Sequence, residues 1–305
     1  MIKSIQDIKQ DILDIKYGKI KQGLGIGIPP IDNHLRFATS GSFEIIIGHA
    51  NVGKTTFLTY LFTLWAVKHQ AKFLIWSSEN TPQSIARKII EFKMQKPIDT
   101  ASEESIQKAL NWCNNHFKII DVNDSYTYKQ VLEEAESVLN VWKYDALLID
   151  PYNSLVQDRD DLKVLGNQHL YDYMVATKFR LFAKQNKVSL YLNCHGVTEA
   201  SRKVHPSSHP YAGHPMPLQG SQVEGGVKMI NRSDQMYCVH RYVHHDDWMY
   251  TDLHVLKVKE IESYGARPTP LDEPIRVKMQ KNNVGFEFCG KDLMGKEIEE
   301  IKMEI

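Results

Sequence analysis

An octapeptide between an apolar strand pattern and a helical pattern constrains this chain most. Residues 48–55 match G-x-x-x-x-G-K-[ST] at every fixed position and directly follow the apolar run FEIIIG. Glycines in such a loop let backbone N–H groups curl around a phosphate without a Cβ in the way. The loop requires a strand before it and a helix after it, so we predict a strand over 43–50 and a helix from Lys54 to about Gln70.

The same loop predicts the nucleotide-binding residues. Lys54 supplies a cation to the β- and γ-phosphates, and the Thr55 hydroxyl ligates Mg²⁺. We therefore expect ATP or another nucleoside triphosphate, with Mg²⁺, as cofactors. The predicted cofactor-binding set is Gly48, His49, Ala50, Asn51, Val52, Gly53, Lys54, Thr55 and Thr56.

Strand and helix patterns alternate over the next 150 residues. Apolar strands are predicted at 71–79, 117–124, 145–151 and 188–196, with helical patterns between them, among them one capped by Thr81 with Pro82 at its first position. Continuous apolar strands of this kind indicate an α/β fold with a mainly parallel sheet flanked by helices. Beyond residue 217 shorter strands follow, and we expect them to extend the sheet as antiparallel strands at its C-terminal edge.

Composition excludes some functions and locations. Lys plus Arg and Asp plus Glu both number 37, which argues against a general nucleic-acid coat but permits a locally basic channel. The four dispersed cysteines indicate a reduced, intracellular protein, and no segment resembles a signal peptide or a membrane span. A cytoplasmic location without a membrane partner is expected.

Residues 1–22 form a predicted arm, and residues 23–305 a predicted motor domain. Ile5, Ile8, Ile12 and Ile15 are spaced as one apolar stripe on a helix that Gly18 is expected to end. Two interpretations are open: the stripe packs on its own domain, or it packs against a neighbouring subunit.

Two carboxylates are candidates for the chemistry. Asp150 ends the apolar strand DALLID, where it can hold the magnesium through a water. Glu79 ends the strand FLIWSSE and would lie beside the phosphate loop if that strand neighbours the first one. Because Pro151 offers no base after Asp150, we predict that Glu79 activates the attacking water. The alternative is a solvated helix-capping carboxylate.

The order of these motifs resembles a known superfamily. GIPPIDNHL (27–35), the phosphate loop, SSEN with Glu79, LLID with Asp150 and NCH with His195 follow the order of RecA-type ATPases. Within that superfamily, roughly residues 20–290 are most similar to the motor domain of hexameric replicative helicases of the DnaB, Twinkle and phage T7 type. The resemblance implies a RecA-like P-loop core, Lys54 and Glu79 in catalysis, and His195 as the sensor of the γ-phosphate.

The resemblance also implies a DNA-binding segment. Residues 218–241 are similar to the part of the family that contributes a central DNA-binding loop, and Gly225, Gly226 and Lys228 suit contact with a phosphate backbone. Arg202 and Lys203 are further candidates in the same channel. The implied partners are single-stranded DNA, identical subunits in a hexameric ring, and a separate primase or loader, since no primase-like or helical domain precedes the motor in this sequence.

A residue that reaches the ATP of the neighbouring subunit is expected near the C-terminus. The family typically places a lysine and an arginine two residues apart, where this sequence has Lys257 and Lys259, with Arg267 further on. An arginine finger binds γ-phosphate oxygens with its planar fork, so the departure leaves all three as candidates.

An insertion at 205–217 is rich in Pro and His. His205 and His209 with Cys194 would be the donors of a zinc site, but they lack tight ligand pairing. We expect a mobile surface or pore-facing loop instead.

The combined expectation is an ATP-dependent DNA helicase motor that translocates on single-stranded DNA during replication. One alternative is a RecA- or RadA-like recombinase or recombination mediator, which shares every nucleotide motif. The other is a regulatory RecA-fold ATPase that does not bind DNA.

Overall fold

The computed structural model describes residues 4–17, 23–39, 41–122, 124–223 and 225–295. Gly18, the predicted end of the arm helix, lies outside the described residues. Along the described chain, none of the helices combines the length and apolarity that a bilayer crossing requires.

The described strands form one ten-stranded sheet in the order β10-β9-β8-β7-β6-β1-β5-β4-β2-β3. Their bounds are Phe43–Gly48 (β1), Phe73–Ser77 (β2), Phe117–Ile120 (β3), Ala146–Asp150 (β4), Ser189–His195 (β5), Gln235–His240 (β6), Tyr250–Val258 (β7), Ile275–Met279 (β8), Phe286–Phe288 (β9) and Lys291–Asp292 (β10).

The helices cover both faces of this sheet. Their bounds are Lys9–Lys16 (α1), Pro29–Asp32 (α2), Lys54–His69 (α3), Pro82–Met94 (α4), Glu103–His116 (α5), Tyr128–Val141 (α6), Arg159–Leu165 (α7), Gln168–Asn186 (α8), Gly226–Arg232 (α9) and Ile261–Tyr264 (α10). Short 3₁₀ turns lie at Gln6–Ile8, Ile98–Thr100, Tyr152–Ser154, Thr198–Arg202 and Gly220–Gln222.

The expected fold class is confirmed, with one correction in the sheet. Strands β1 to β5 pair in parallel, and β7 to β10 are antiparallel additions at the C-terminal edge. The strand β6, expected among the antiparallel ones, is parallel to β1. The reason is that helix α9 precedes it and carries the chain back to the edge where β1 begins.

The helices after β1 and β2 begin as predicted, but α5 and α7 were missed. Thr81 caps α4 by accepting a hydrogen bond from the Ser84 N–H at 3.2 Å. Helix α5 has only Ala109 and His116 fully buried, so it presents no wide apolar stripe from which a helix could be predicted.

Two apolar clusters fill the two faces of the sheet. One includes Phe62, Trp65 and Phe73 and packs α3 and α4 on the sheet, whereas the other includes Phe43 and Phe179 and packs α6 and α8. Most of α3 is buried on all sides. This burial fixes the helix that starts at the phosphate loop.

The described part of the arm is helical up to Lys16. Its α-helical part is α1, preceded by the 3₁₀ turn, and Ile5 and Ile12 are 77% and 50% exposed. These two side chains of the stripe are therefore accessible from outside the chain. The division at residue 22 stays a prediction.

Glu44 is a buried acid in the middle of this core. It lies on β1, is fully shielded from solvent and accepts a hydrogen bond from the Ser42 hydroxyl at 2.7 Å. Burial raises the pKa of its carboxyl to about 7.

We predict that Glu44→Gln flattens the dependence of stability on pH. With a raised pKa, the protonated acid stabilises the fold below about pH 4.5, and this contribution is lost as the pH rises through about 7. Between pH 5 and 8 the wild type should lose about 2 to 3 kcal/mol of unfolding free energy more than the variant. Urea denaturation at the two pH values measures this difference.

Because wild type and variant share all other titratable groups, the difference between the two proteins removes the contribution of those groups to the pH dependence of stability. His240 and His254 are among them, and burial lowers the pKa of both. Parallel pH profiles for the two proteins would contradict the assignment.

Candidate functional site

The phosphate loop connects β1 to α3 in a conformation that requires its glycines. Asn51 and Gly53 have positive φ angles of 61° and 85°. A Cβ on Gly48 would lie 2.4 Å from the carbonyl oxygen of Val239 on β6, too close for any side chain. Successive N–H groups in such a turn, followed by a helix N-terminus, form a concave site for an anion.

Lys54 lies at the start of α3 and points back into the loop. Its ammonium donates to the carbonyl oxygens of Gly48 and His49, both at 3.0 Å, and lies 3.5 Å from Nδ1 of His195. Desolvation lowers the pKa of Lys54, although the carboxylates of Asp150 and Glu79 counteract this. A bound polyphosphate would supply the negative charge that this cation lacks.

Asp150 is the buried centre of the site. The Thr55 hydroxyl donates to its Oδ2 at 2.8 Å, the Asn193 amide to its Oδ1 at 2.6 Å, and the Ser77 hydroxyl lies 3.3 Å from Oδ2. These partners come from α3, β5 and β2, so three elements besides β4 meet at one carboxylate. Desolvation raises the pKa of Asp150 despite these hydrogen bonds.

The donor set at Asp150 fits Mg²⁺. The Asp150 carboxylate and the Thr55 hydroxyl place oxygen atoms next to each other. Mg²⁺ prefers oxygen ligands, usually one or two carboxylates together with substrate phosphates. Burial disfavours the charged carboxylate, which a cation would stabilise. Thr55 and Asp150 are therefore the candidate metal ligands.

Glu79 reaches the phosphate loop by a route other than the one expected. Strand β2 does not neighbour β1, because β5 and β4 lie between them. The loop after β2 turns back over β4, where the Ser78 N–H donates to the Asp150 carbonyl oxygen at 3.1 Å. This turn places Glu79 Oε1 3.2 Å from Nε2 of His195. Glu79, His195 and Lys54 therefore form a continuous row across the site.

The DNA-binding candidates lie at the carboxyl edge of the sheet. Arg202 and Lys203 are exposed after β5, while Gly225 and Gly226, with positive φ angles, start helix α9. Lys228 places its ammonium 5.3 Å from the ring centroid of Tyr173. The two segments meet in an isolated bridge between Gly196 and Val223.

The finger candidates lie at the opposite edge. Strand β7 runs antiparallel to β6 and ends level with the start of β1. Lys257 donates to the carbonyl oxygens of Ile230 and Ser233 at the end of α9, and desolvation lowers its pKa. Lys259 lies 4.0 Å from Oδ1 of Asp234, and Arg267 is exposed.

Arg241 is a cation beside the loop that sequence reasoning missed. A Cβ on Gly53 would lie 3.4 Å from its Nη1, and its guanidinium donates to the Trp248 carbonyl oxygen at 3.0 Å and 2.7 Å. The only signal was its place directly after β6, which becomes informative once β6 is known to pair with β1.

The insertion at 205–217 is packed rather than loose. Nε2 of His205 lies 2.9 Å from the Tyr242 hydroxyl, its ring stacks on His209 at 3.8 Å, and the rings of Tyr211 and Tyr242 stack at 3.7 Å. The expectation of a mobile loop missed these contacts, two of which involve Tyr242, the second residue after β6. Within the described ranges, no three His, Cys, Asp or Glu side chains are grouped to hold a metal ion.

Comparisons with solved structures agree with the fold of the chain. A solved structure of an isolated ATPase domain matches with a TM-score of 0.73 and 12% identity over 94% of this chain and 99% of that one. A DnaB-like replicative helicase, described with its interactions with primase, matches with a TM-score of 0.69 and 12% identity over 94% and 67% of the respective chains. The predicted resemblance to the DnaB and Twinkle type of RecA-like ATPase is confirmed.

A curated relative gives the same result at the sequence level. The chain is 25% identical over 249 residues to the Twinkle homolog protein, chloroplastic/mitochondrial, of Arabidopsis thaliana. The match covers 76% of this chain and 32% of the relative, so the chain spans about a third of that protein's length. No family model matches the chain.

Asp150→Asn should abolish hydrolysis while stabilising the ligand-free protein. A neutral amide is a poor Mg²⁺ ligand, so the rate of ATP hydrolysis should fall by at least about 100-fold. Because burial raises the pKa of the acid above its unfolded value, the fold loses stability as the pH rises to neutral, and an amide that does not titrate should raise the thermal midpoint by about 2–4 °C.

Calorimetry and a phosphate-release assay measure the two effects. Asp160→Asn, which neutralises an exposed carboxylate on α7, is the matched control and should change neither quantity. An Asp150→Asn protein that hydrolyses ATP normally or melts at a lower temperature would contradict the role given to Asp150.

Proposed function

We propose that the chain is an ATP-dependent DNA helicase motor that translocates on single-stranded DNA during replication, assembled as a ring of identical subunits. The observation that carries this proposal is the short connection between the nucleotide site and the glycine pair. His195 contacts Glu79 and Lys54, and the next residue, Gly196, bridges to Val223, two residues before Gly225.

The row of residues across the site suits phosphoryl transfer to water. Glu79 would accept a proton from the attacking water, Lys54 would neutralise charge on the β- and γ-phosphates, and His195 would hydrogen-bond the γ-phosphate. Thr55 and Asp150 would hold Mg²⁺, whose chemistry is to neutralise the phosphate oxygens. Loss of the γ-phosphate would release His195 and shift the backbone that bridges to the DNA-binding segment.

A second link supports coupling between the nucleotide and the DNA. Nε2 of His49, within the phosphate loop, lies 2.9 Å from the carbonyl oxygen of Met216. Met216 precedes the segment 218–228 that carries the glycine pair and Lys228. Movement of the phosphate loop would therefore reach this segment from two sides.

The position of the finger candidates supports an oligomer. Strand β1 has six residues, so its two end residues are about 17 Å apart at a rise of 3.3 Å per residue. Lys259 lies at the end opposite to its own phosphate loop, and its side chain is too short to span that distance. A role for Lys259 at a γ-phosphate therefore requires a neighbouring subunit, and the exposed isoleucines of the arm offer an apolar contact for one.

Other partners follow from the proposal. A helicase motor of this kind would work with a primase or loader on another chain, as the interactions with primase described for the DnaB-like helicase suggest. The cytoplasmic location stays a prediction.

Single-stranded DNA should stimulate ATP hydrolysis several-fold, because bound DNA would act on the segment that bridges to Gly196, next to His195, and that follows Met216, which His49 contacts. The measurement is the rate of phosphate release with and without an oligonucleotide, with Lys54→Ala as the blank. Lys228→Ala should require more DNA for half-maximal stimulation and reduce the salt slope of DNA binding by about 1.

A rate indifferent to DNA would reject the motor and favour the regulatory ATPase. Stimulation combined with filaments instead of rings in electron micrographs would favour the recombinase.

Mixing two inactive variants tests whether Lys259 acts in a neighbouring subunit. Lys54→Ala loses the phosphate cation and Lys259→Ala the finger, so each alone should hydrolyse ATP slowly. In a one-to-one mixture, about a quarter of the interfaces regain both residues, and activity should rise toward that fraction of the wild-type rate.

A mixture that stays as inactive as its components would reject a role in trans for Lys259. Lys257→Ala mixed with Lys54→Ala is the matched control. It should show no such recovery, because the Lys257 ammonium is engaged with the carbonyl oxygens at the end of α9.

A further inference from the structure

A cavity of about 510 Å³ lies beside the glycine pair at the carboxyl edge of the sheet. It is bounded by the turn after β4, the start of α8 and the start of α9, including Gly225 and Gly226. Its volume falls within the range of about 300–1,000 Å³ that is usual for small-molecule sites. The phosphate-binding residues Lys54 and Thr55 are not among the residues that line it.

The interior of the cavity is apolar and aromatic. Tyr171, Val175 and Val223 line it with buried side chains, and Tyr128 and Tyr152 add two further rings. Flat apolar surfaces of this kind suit a flat ring, since bases stack on aromatic side chains irrespective of their sequence.

Hydrogen-bonding groups surround this apolar interior. Asp172 is a buried carboxylate that accepts from the Tyr152 hydroxyl at 2.6 Å and from the Gln168 amide at 2.8 Å, both at Oδ1. Its Oδ2 keeps acceptor capacity for a ligand, because an ionised carboxylate has about four lone-pair sites. The exposed amides of Asn153 and Gln157 lie at the rim and both donate and accept.

The charge inside the cavity disfavours a phosphate beside Asp172. Among the described residues that line it there is no lysine or arginine, the acid is Asp172, and the imidazole is that of the exposed His169. A phosphate placed beside Asp172 would meet a carboxylate without a lysine or arginine to compensate it. The cations Lys228 and Arg202 lie outside, where they suit a backbone.

We propose that the cavity takes one unpaired nucleobase of the DNA strand while the strand's phosphates follow Gly225, Gly226 and Lys228. This inference rests on the proposed function and names how that site holds its substrate. The base stacks on the partly exposed ring of Tyr152, and its ring N–H or amino groups donate to Asp172 and the rim amides.

One lining residue, Asn153, connects the cavity to the nucleotide site. The side-chain oxygen of Asn153 accepts a hydrogen bond from the backbone N–H of His195 at 3.4 Å. Asn153 therefore lies between the cavity and the row of His195, Glu79 and Lys54. Occupation by a base would act on the residue that contacts both Glu79 and Lys54.

The test compares an intact thymidine oligonucleotide with the same oligonucleotide carrying abasic sites, each titrated into the full chain at one salt concentration with a non-hydrolysable ATP analogue. The wild type should bind the intact strand about tenfold more tightly, as expected for one stacked base. In Ser221→Trp, where an indole fills the exposed mouth, and in Gln168→Ala, this ratio should fall toward one through weaker binding of the intact strand.

Lys228→Ala is the matched control, since loss of a phosphate contact should weaken both strands equally and preserve the ratio. If the wild type binds both strands with equal affinity, or both cavity variants keep its ratio, the base-binding inference is overturned and the proposed function stands. If the wild type binds neither strand, both are overturned.

Discussion

The arrangement of this site depends on one buried carboxylate. Asp150 ends β4 and receives hydrogen bonds from Thr55 and Asn193, with Ser77 close by. Because β5 separates β4 from β1 in the sheet, Asp150 stands across a strand from the phosphate loop. At the carboxyl edge between them, the end of β5 places His195, and the turn after β2 places Glu79 next to it.

The two ends of the strands present different cationic residues because β6 and β7 run in opposite directions. The parallel strand β6 ends beside the phosphate loop, where Arg241 flanks Gly53. The antiparallel strand β7 then takes the chain to the far edge and delivers Lys259 there. A chain of this topology does not bring that lysine to its own phosphate loop, so the proposed role of Lys259 at a γ-phosphate requires a second copy of the chain.

Sequence predicted those parts of the fold and site that local chemistry determines. The phosphate loop, the N-cap of α4 and the place of Asp150 at the end of β4 follow from residue types at short spacings, whereas the role of His195 was implied by the family resemblance and stays a prediction. The order of strands does not, and therefore Glu79 was assigned for a wrong geometric reason while its contact with His195 is real. Arg241 was missed for the same reason, because it lies beside Gly53, which is 188 positions away along the chain.

The buried charges of this site suit the ligands proposed for it. Burial raises the pKa of Asp150 and lowers that of Lys54, so the ionised form of each is disfavoured although the two attract each other. A nucleotide bound as proposed would bring phosphates to Lys54 and, with its cation, a positive charge to Asp150, so each buried charge would gain a partner. Binding energy gained at these two residues would then be available to reposition His195, whose backbone continues directly to the Gly196–Val223 bridge. Under the proposed function, these buried charges would thus supply a difference in free energy between nucleotide states, which a motor requires.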